Sequence, residues 1–149
     1  MPLNIEVKQA TPPIVDRVLA VLDRHDARAR TLLAAEHQPI MDAIRAAAPD
    51  VATSFTALEV ADFVPRVATD DFGGWRAPGR ALQVPPRFGD VEIVTAASVA
   101  AAHARGLEMH VWTINEPDEM ERLLGLGVDA IMTDAPAMAF ALYRRLGLR

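Results

Sequence analysis

Short apolar runs alternate with longer amphipathic stretches along this chain, and this alternation is typical of βα units around a parallel sheet. The pattern occurs six times. The strands are predicted at residues 3–8, 32–36, 51–55, 81–84, 108–114 and 130–133. Helices are predicted after each strand, at 11–25, 39–47, 58–67, 95–105, 115–126 and 134–146, with Thr11-Pro12, Thr95, Asn115 and Asp134 opening four of them. A segment rich in glycine and proline, 70–80, is predicted to be a loop.

The spacing of the predicted strands bears on the kind of parallel fold. Strand starts are about 25 residues apart, so eight units would need about 200 residues, the lower limit for a closed eight-stranded barrel. The 149 residues of this chain supply six units. Length alone therefore favours an open doubly wound sheet, whereas the residues themselves decide between the two folds. Neither a linker nor a low-complexity segment interrupts the pattern, so a single domain is predicted over 1–149.

Composition excludes several classes of protein. The chain has no cysteine, which excludes a disulfide scaffold, and 51% hydrophobic residues, which allow a sizeable core. Its net charge of -5 gives no basic face for nucleic acid. No apolar run is long enough to span a bilayer, and the start MPLNIEVKQA lacks the order of a signal peptide. We therefore expect a cytoplasmic protein, unless an N-terminal signal has been lost.

Polar and aromatic side chains concentrate at the predicted carboxyl ends of the strands, where parallel α/β folds bind their ligands. Glu6 and Lys8 alternate along the first strand and so project to one face. The others are Glu36, Gln83, Trp112, Asn115 and Asp134. Simpler readings remain open: Asn115 and Asp134 as helix caps, Glu36 as a solvated loop acid, and Glu6 with Lys8 as a satisfied ion pair.

Four segments of the chain carry recognisable motifs: LNIEVKQ, EHQPIMDAIRAAAPDVATSFTALEVADF, ALQVPPRFGDVEIVT and AAHARGLEMHVWTINEPDEMERLLGLGVDAIMTDAP. They resemble the bacterial glycerophosphodiester phosphodiesterase family, and the pair VWTIN and GVDAIMTDAP is the most specific. The resemblance implies a TIM barrel, a divalent cation such as Ca²⁺ or Mg²⁺, and hydrolysis of glycerophosphodiesters to glycerol 3-phosphate and an alcohol, in lipid and glycerol metabolism. It places the first strand here at the family's third and the last at its eighth. The expected fold class is therefore an α/β, TIM-barrel-derived (βα)6 partial barrel, corresponding to strands 3–8 of a (β/α)8 barrel.

The same resemblance implies roles for individual residues. Glu6 corresponds to a metal carboxylate, and Lys8 to the active-site lysine that lies against the phosphate. Trp112 would line the glycerol side of the pocket, with Gln83 and Asn115 as further substrate-binding residues. The family's His-Arg-Gly and Glu-x-Asp motifs are absent from this sequence, so the divalent cation is expected to bind weakly or not at all.

The four histidines do not replace the family's acid and base. His25, in the His25-Asp26 dipeptide, is expected in a surface loop, His103 on a helix where it packs or is solvated, and His110 as a hydrogen-bonded core residue. His37 stands just after the second strand and is the one histidine predicted near the site. Glu36, His37 and Asp134 are kept as additional candidates.

Two hypotheses follow for function. The first is a glycerophosphodiester phosphodiesterase-like hydrolase that is inactive or weak as this chain, since general acid and base groups alone contribute about 10² to 10⁴ in rate. The second is a non-catalytic partial barrel that self-associates or binds a phosphorylated ligand. Strands without a neighbour on one side favour pairing with another chain, so a homo-oligomer through exposed strand edges is expected. The expected small-molecule partner is a glycerophosphodiester.

Overall fold

The computed structural model describes residues 1–148, and its secondary structure follows the predicted βα alternation. Six strands are each followed, directly or after a hairpin, by a helix. Backbone contacts divide the chain into two compact units, Met1–Ala81 and Leu82–Arg149. The single domain predicted over 1–149 stays a prediction. Within residues 1–148, no helix has both the length and the apolar character needed to cross a bilayer.

The first unit contains a three-stranded parallel sheet with helices between its strands. In chain order its elements are β1 (Leu3–Glu6), α1 (Val15–Arg24), a 3-10 turn (Arg28–Arg30), β2 (Thr31–Ala34), α2 (Gln38–Ala47), β3 (Ala52–Thr53) and α3 (Ala57–Thr69). The sheet order is β1-β2-β3, with Glu6 opposite Ala34. The carboxyl ends of β1 and β2 are therefore level with each other.

Apolar residues from every layer of the first unit form its core. Val7, Leu22, Leu33, Met41 and Ile44 are each at most 2% exposed. Deep burial of apolar side chains of this size stabilises by about 1.5–3 kcal/mol each. This core fixes the sheet beneath the residues that follow β1 and β2.

The 70–80 segment is a loop, as predicted, and it returns to β3 before β4 (Ala81–Val84) begins. The backbone N–H of Arg80 donates to the Thr53 carbonyl at 2.7 Å. A Cβ on Gly79 would lie 2.7 Å from that same carbonyl oxygen, which is too close for any side chain. Glycine is therefore required where the loop meets β3.

The second unit is built on the sheet order β4-β7-β8 and one separate hairpin. Its elements are β4 (Ala81–Val84), β5 (Arg87–Phe88), β6 (Val91–Glu92), α4 (Ala96–His103), β7 (Glu108–Val111), α5 (Pro117–Gly125), β8 (Ala130–Ile131) and α6 (Pro136–Arg145). Strands β7 and β8 are parallel, and β5 and β6 form an antiparallel hairpin. Its core includes Leu82, Val94, Met109, Met120 and Leu123.

The helix starts differ from the predictions at three of the four expected caps. Thr95 does cap α4, in a reciprocal capping box with Ser98. Helix α1 begins at Val15 rather than at Thr11-Pro12, because Thr11 and Pro12 each precede a proline and such positions avoid helical geometry.

Asn115 and Asp134 are not helix caps either. Glu116 and Ala135 stand at the N-cap positions of α5 and α6, and neither makes a side-chain capping bond. Asn115 and Asp134 instead bond to each other, which leaves their helices to begin one residue later. The β5–β6 hairpin lies between the predicted fourth strand, 81–84, and its helix, 95–105, where no regular element was predicted.

Candidate functional site

A small cavity of about 110 Å³ lies at the carboxyl ends of β1 and β2. Its lining consists of Glu6, Val7, Lys8, Glu36 and His37. Four of these residues were candidates from the sequence, two from each strand end. The parallel register brings them together, because the backbone N–H of Val7 donates to the Ala34 carbonyl at 2.7 Å and holds the two strand ends side by side.

Glu6 and Lys8 form an ion pair at this cavity, with Lys8 Nζ 3.3 Å from Glu6 Oε2. Both side chains are open to solvent, at 42% exposure for Glu6 and 79% for Lys8. An exposed pair of this kind is worth about 0–1 kcal/mol. Because the pairing is that weak, a charged ligand can displace it at little energetic cost. The ion-pair interpretation and the binding-site interpretation are therefore compatible.

The residues at this cavity do not make up a divalent cation site. Within residues 1–148, no three side chains of histidine, aspartate, glutamate or cysteine are grouped so that they could hold a metal ion. Hard cations such as Ca²⁺ and Mg²⁺ take six or more oxygen ligands, of which several are usually water for Mg²⁺. The cavity offers two carboxylates, those of Glu6 and Glu36, and the Lys8 ammonium lies beside the first of them. This chain's described residues alone do not fit the metal that the resemblance implies.

A second and larger groove, of about 520 Å³, lies elsewhere in the first unit. It is lined by the loop before β3 and by the Ala77–Arg80 stretch, so it lies at the amino ends of β3 and β4. Ligand sites of parallel sheets lie at the opposite end. The Arg45 guanidinium in its lining already donates hydrogen bonds to Glu59 and to the Ser54 carbonyl. The smaller cavity is therefore the better candidate despite its size.

Gln83, in the second unit, is part of a hydrogen-bonded chain along β4 and β7. Gln83 Nε2 lies 3.2 Å from His110 Nδ1, and His110 Nε2 lies 3.1 Å from Glu108 Oε2. The predicted hydrogen-bonded role of His110 is confirmed, and its side chain is mostly buried, with 14% exposed. These hydrogen bonds hold the Gln83 amide beside the His110 imidazole.

Trp112, Asn115 and Asp134 follow β7 and β8 in the second unit. The Trp112 side chain is 41% exposed, and its backbone N–H donates to the Val84 carbonyl. Asn115 accepts from the Thr133 hydroxyl and from the Asp134 backbone N–H, each at 2.9 Å. The loops after β7 and β8 are thereby joined, which brings Asn115 and Asp134 into contact.

A buried polar network behind the first cavity was missed at the level of sequence. The Thr56 side chain, in a residue with no exposed surface, donates to Gln38 Oε1 at 2.6 Å and accepts from the Glu59 backbone N–H. Glu59 in turn accepts from the Thr56 backbone and from Arg45. The Thr56-Ala-Leu-Glu59 spacing is a capping-box signature and could have revealed part of this network.

The network also sets the ionisation of Glu59. Burial raises the pKa of the Glu59 carboxyl, but hydrogen bonds from Arg45, the Thr56 backbone and Gln38, with the Arg45 charge, outweigh it. The pKa of Glu59 therefore lies below its usual range. An ionised Glu59 ties α2 to the first turn of α3 at neutral pH.

The remaining two histidines lie away from these residues. His25 is exposed in the turn after α1, as predicted. His103 Nε2 lies 2.9 Å from Asp129 Oδ2, an acceptor that also binds the Met109 backbone N–H at 2.7 Å. His103 therefore joins α4 to the segment before β8.

Comparisons with known proteins agree on one family. The model of the glycerophosphoryl diester phosphodiesterase family matches residues 1–138. A probable glycerophosphodiester phosphodiesterase 2 of Mycobacterium tuberculosis is 33% identical over 138 residues, which cover 90% of this chain and 52% of the relative.

Solved structures show the same likeness. A putative glycerophosphoryl diester phosphodiesterase from Silicibacter pomeroyi superposes with a TM-score of 0.73 and 26% identity, covering 99% of this chain and 51% of that one. A phosphodiesterase from Oleispira antarctica, in complex with the product sn-glycerol-3-phosphate, gives a TM-score of 0.70 at 19% identity over 97% and 56% of the two chains.

These superpositions confirm the predicted fold class, an α/β fold with parallel strands derived from the TIM barrel. The chain spans about half the length of the relatives it matches. The match of the family model over residues 1–138 covers the first unit, residues 82–138 of the second unit, and every candidate site residue. The chain belongs to the glycerophosphoryl diester phosphodiesterase family.

Proposed function

We propose that this chain supplies the Glu6 and Lys8 part of a glycerophosphodiester-hydrolysing site and binds the phosphate group of a glycerol phosphate at the cavity between β1 and β2. The convergence of four candidate side chains on this one cavity, in a chain of this family, carries the proposal. The Lys8 ammonium is the group that neutralises phosphate charge, both in the bound ligand and as charge builds in the transition state.

The proposal extends to residues of the second unit by family resemblance. By that resemblance Trp112, whose ring is exposed, and Gln83 and Asn115 are proposed as substrate-binding residues of the second unit. Asp134 bonds to Asn115 and orients its amide. The product bound to the Oleispira antarctica phosphodiesterase is of the same ligand class.

We also propose that the 149-residue chain by itself is inactive or weakly active. Hydrolysis in this family is expected to need a divalent cation, and within the described residues no three potential ligands are grouped around Glu6 or elsewhere to hold one. Affinity for Ca²⁺ or Mg²⁺ in the millimolar range or weaker is expected from so few ligands. Binding of a phosphorylated ligand without turnover is then the function that remains.

Two measurements on the 149-residue chain test this proposal. Binding of sn-glycerol 3-phosphate should be lost in Lys8→Gln and kept in Arg17→Gln, a matched loss of one exposed positive charge on α1. Equal binding by both variants would contradict the role of Lys8.

The second measurement concerns turnover. Release of glycerol 3-phosphate from glycerophosphocholine, with Ca²⁺ or Mg²⁺ present, should stay near background. Turnover that Glu6→Gln abolishes would show that the chain is an active hydrolase, and would contradict the proposed inactivity while supporting the location of the site.

A further inference from the structure

The β2 end of the cavity carries two side chains, of Glu36 and His37, that the family resemblance does not assign. Both line the cavity and both are exposed. Within residues 1–148, neither side chain makes a hydrogen bond or an ion pair with another residue, whereas Glu6 and Lys8 pair with each other. Two polar side chains are thus available at the cavity for an outside partner.

The backbone that carries these side chains is held firmly. The Glu36 carbonyl accepts from the Ala57 backbone N–H at 3.2 Å, which ties this turn to the start of α3. The His37 carbonyl accepts from the N–H groups of Ile40 and Met41, at 3.1 and 3.2 Å, as α2 begins. The backbone positions of both residues are therefore fixed, so that only the freedom of the side chains themselves is lost when they bind a ligand.

The next residue, Gln38, is anchored in the buried polar network. Its Oε1 accepts from the Thr56 hydroxyl at 2.6 Å, and its Nε2 donates to Asp42 at 2.8 Å. Arg45 holds Glu59 on the far side of the same network. Support of this kind, from residues that do not face the cavity, is the arrangement that keeps a binding group in a productive geometry.

The chemistry of the four side chains indicates the kind of ligand. Lys8 and His37 can donate hydrogen bonds, and Glu6 and Glu36 can accept them. Inorganic phosphate would satisfy the donors, but its charge would lie close to both carboxylates. A phosphate ester with alcohol hydroxyls can satisfy the donors through its phosphate oxygens and the carboxylates through hydroxyls that lie away from the phosphate charge. At about 30 Å³ per water, the cavity holds about three or four waters, so it has room for one end of such a ligand.

We propose that Glu36 and His37 contact the ligand directly, with the His37 imidazole donating to a phosphate oxygen beside Lys8 and Glu36 accepting from a ligand hydroxyl. The ligand class is a small hydroxylated phosphate ester of the glycerol phosphate type. This inference rests on the proposed function, since it places a second pair of contacts in the same cavity. His37 then determines affinity for the phosphate, and Glu36 distinguishes a polyol phosphate from inorganic phosphate.

The test is an NMR titration of the 149-residue chain with sn-glycerol 3-phosphate and, separately, with inorganic phosphate. Dissociation constants come from the amide shifts, and the His37 imidazole nitrogens report contact directly. His37→Ala should weaken the binding of both ligands about tenfold or more, as expected for the loss of one hydrogen bond to a charged group. Glu36→Gln should weaken the binding of glycerol 3-phosphate several-fold, whereas inorganic phosphate should bind equally well or more tightly.

Two variants control for indirect effects. His37→Gln keeps an N–H donor and should bind more tightly than His37→Ala. His25→Ala removes the exposed histidine after α1 and should bind like the wild type. Unfolding is not expected in the His37 variants, because the His37 side chain makes no capping bond to α2.

The outcomes separate this inference from the proposed function. If Lys8→Gln abolishes binding while His37→Ala and Glu36→Gln stay within twofold of the wild type, the contacts proposed here are wrong and the proposed function stands. If the wild type binds neither ligand at tens of millimolar, both are wrong. If the NMR signals of the His37 imidazole nitrogens shift as ligand is added, and His37→Ala binds the ligands more weakly as predicted, both proposals are supported.

Discussion

Replacing Arg45 by alanine is the substitution that most directly tests the support behind the cavity. The Arg45 guanidinium bonds to Glu59, to the Thr53 hydroxyl at 3.2 Å and to the Ser54 carbonyl at 3.1 Å. Arg45→Ala removes all of these contacts at once. It also leaves the Glu59 carboxylate, whose side chain is 14% exposed, without its positive partner.

The loss of stability expected in Arg45→Ala lies between two limits. Exposed ion pairs contribute about 0–1 kcal/mol, and removing one partner of a fully buried pair costs about 3–5 kcal/mol. The Arg45 and Glu59 side chains are 24% and 14% exposed, which is nearer the buried case but not fully buried. We therefore expect Arg45→Ala to lower the free energy of unfolding by about 2 kcal/mol, or the melting temperature by about 4–8 °C for a chain of this size.

The effect should depend on pH in a defined direction. Burial raises the pKa of Glu59, but the hydrogen bonds and charge of Arg45 and its neighbours lower it more, so the folded-state pKa lies below the unfolded one. The stabilisation is then fully present above the ordinary glutamate pKa of about 4.3 and is lost as the pH falls through the lower folded value. The gap in melting temperature between wild type and Arg45→Ala should be constant from pH 7 to about pH 5 and should narrow below about pH 4.

Thermal melts followed by circular dichroism at several pH values measure this gap. Arg122→Ala is the matched control, because Arg122 forms an exposed ion pair with Glu119 one turn away on α5. Its removal should lower the free energy of unfolding by less than about 0.5 kcal/mol. If Arg45→Ala is no less stable than Arg122→Ala at pH 7, the network does not support the fold in the way described.

Two further predictions concern other parts of the molecule. Asp129→Ala removes the acceptor shared by His103 and the Met109 N–H. It should lower the free energy of unfolding, measured by urea denaturation, by about 1–3 kcal/mol. A change under about 0.5 kcal/mol would contradict a structural role for this contact. In the described sheets β1 has only β2 as a neighbour and β8 only β7, so we expect concentration-dependent self-association by light scattering. A monodisperse monomer at millimolar concentration would contradict it.

The order of elements was predictable from sequence because each depends on local apolar periodicity. β4 begins and ends at the predicted residues, and α2 and α3 begin within one residue of their predicted positions. The predicted strands at 32–36 and 108–114 extend past the observed ends of β2 and β7. After β2, Glu36 and His37 line the cavity, and after β7 the backbone N–H groups of Trp112 and Ile114 still donate to the Val84 and Met132 carbonyls although no regular strand continues. The apolar pattern does not distinguish such flanking residues from strand residues.

The β5–β6 hairpin escaped prediction for a different reason. Each of its strands has two residues, which is too few to show an alternation of apolar and polar residues in the sequence. A signal was present in Gly89-Asp90, a dipeptide suited to a two-residue turn, and Gly89 does adopt a positive φ of 57°. The hairpin leaves Phe88 and Val91 side by side on its surface, at 76% and 52% exposure.

The candidate site was predictable in part. Alternation along the predicted strand 3–8 sufficed to place Glu6 and Lys8 on one face, and the two do form an ion pair although β1 ends at Glu6. That Glu36 and His37 join them depends on the register of β2 against β1, which is a tertiary contact that neither segment encodes alone. Asn115 was assigned to a helix start on local grounds, yet it bonds across to the loop after β8, where only the packed sheet brings the two loops together.

A crystal structure of the chain with sn-glycerol 3-phosphate would show whether the cavity at the ends of β1 and β2 is the ligand site. We expect a phosphate oxygen within about 3.2 Å of Lys8 Nζ, with His37 and Glu36 also in contact with the ligand. A ligand bound in the groove beside Arg45 and Arg80, with the β1–β2 cavity filled only by water, would contradict it.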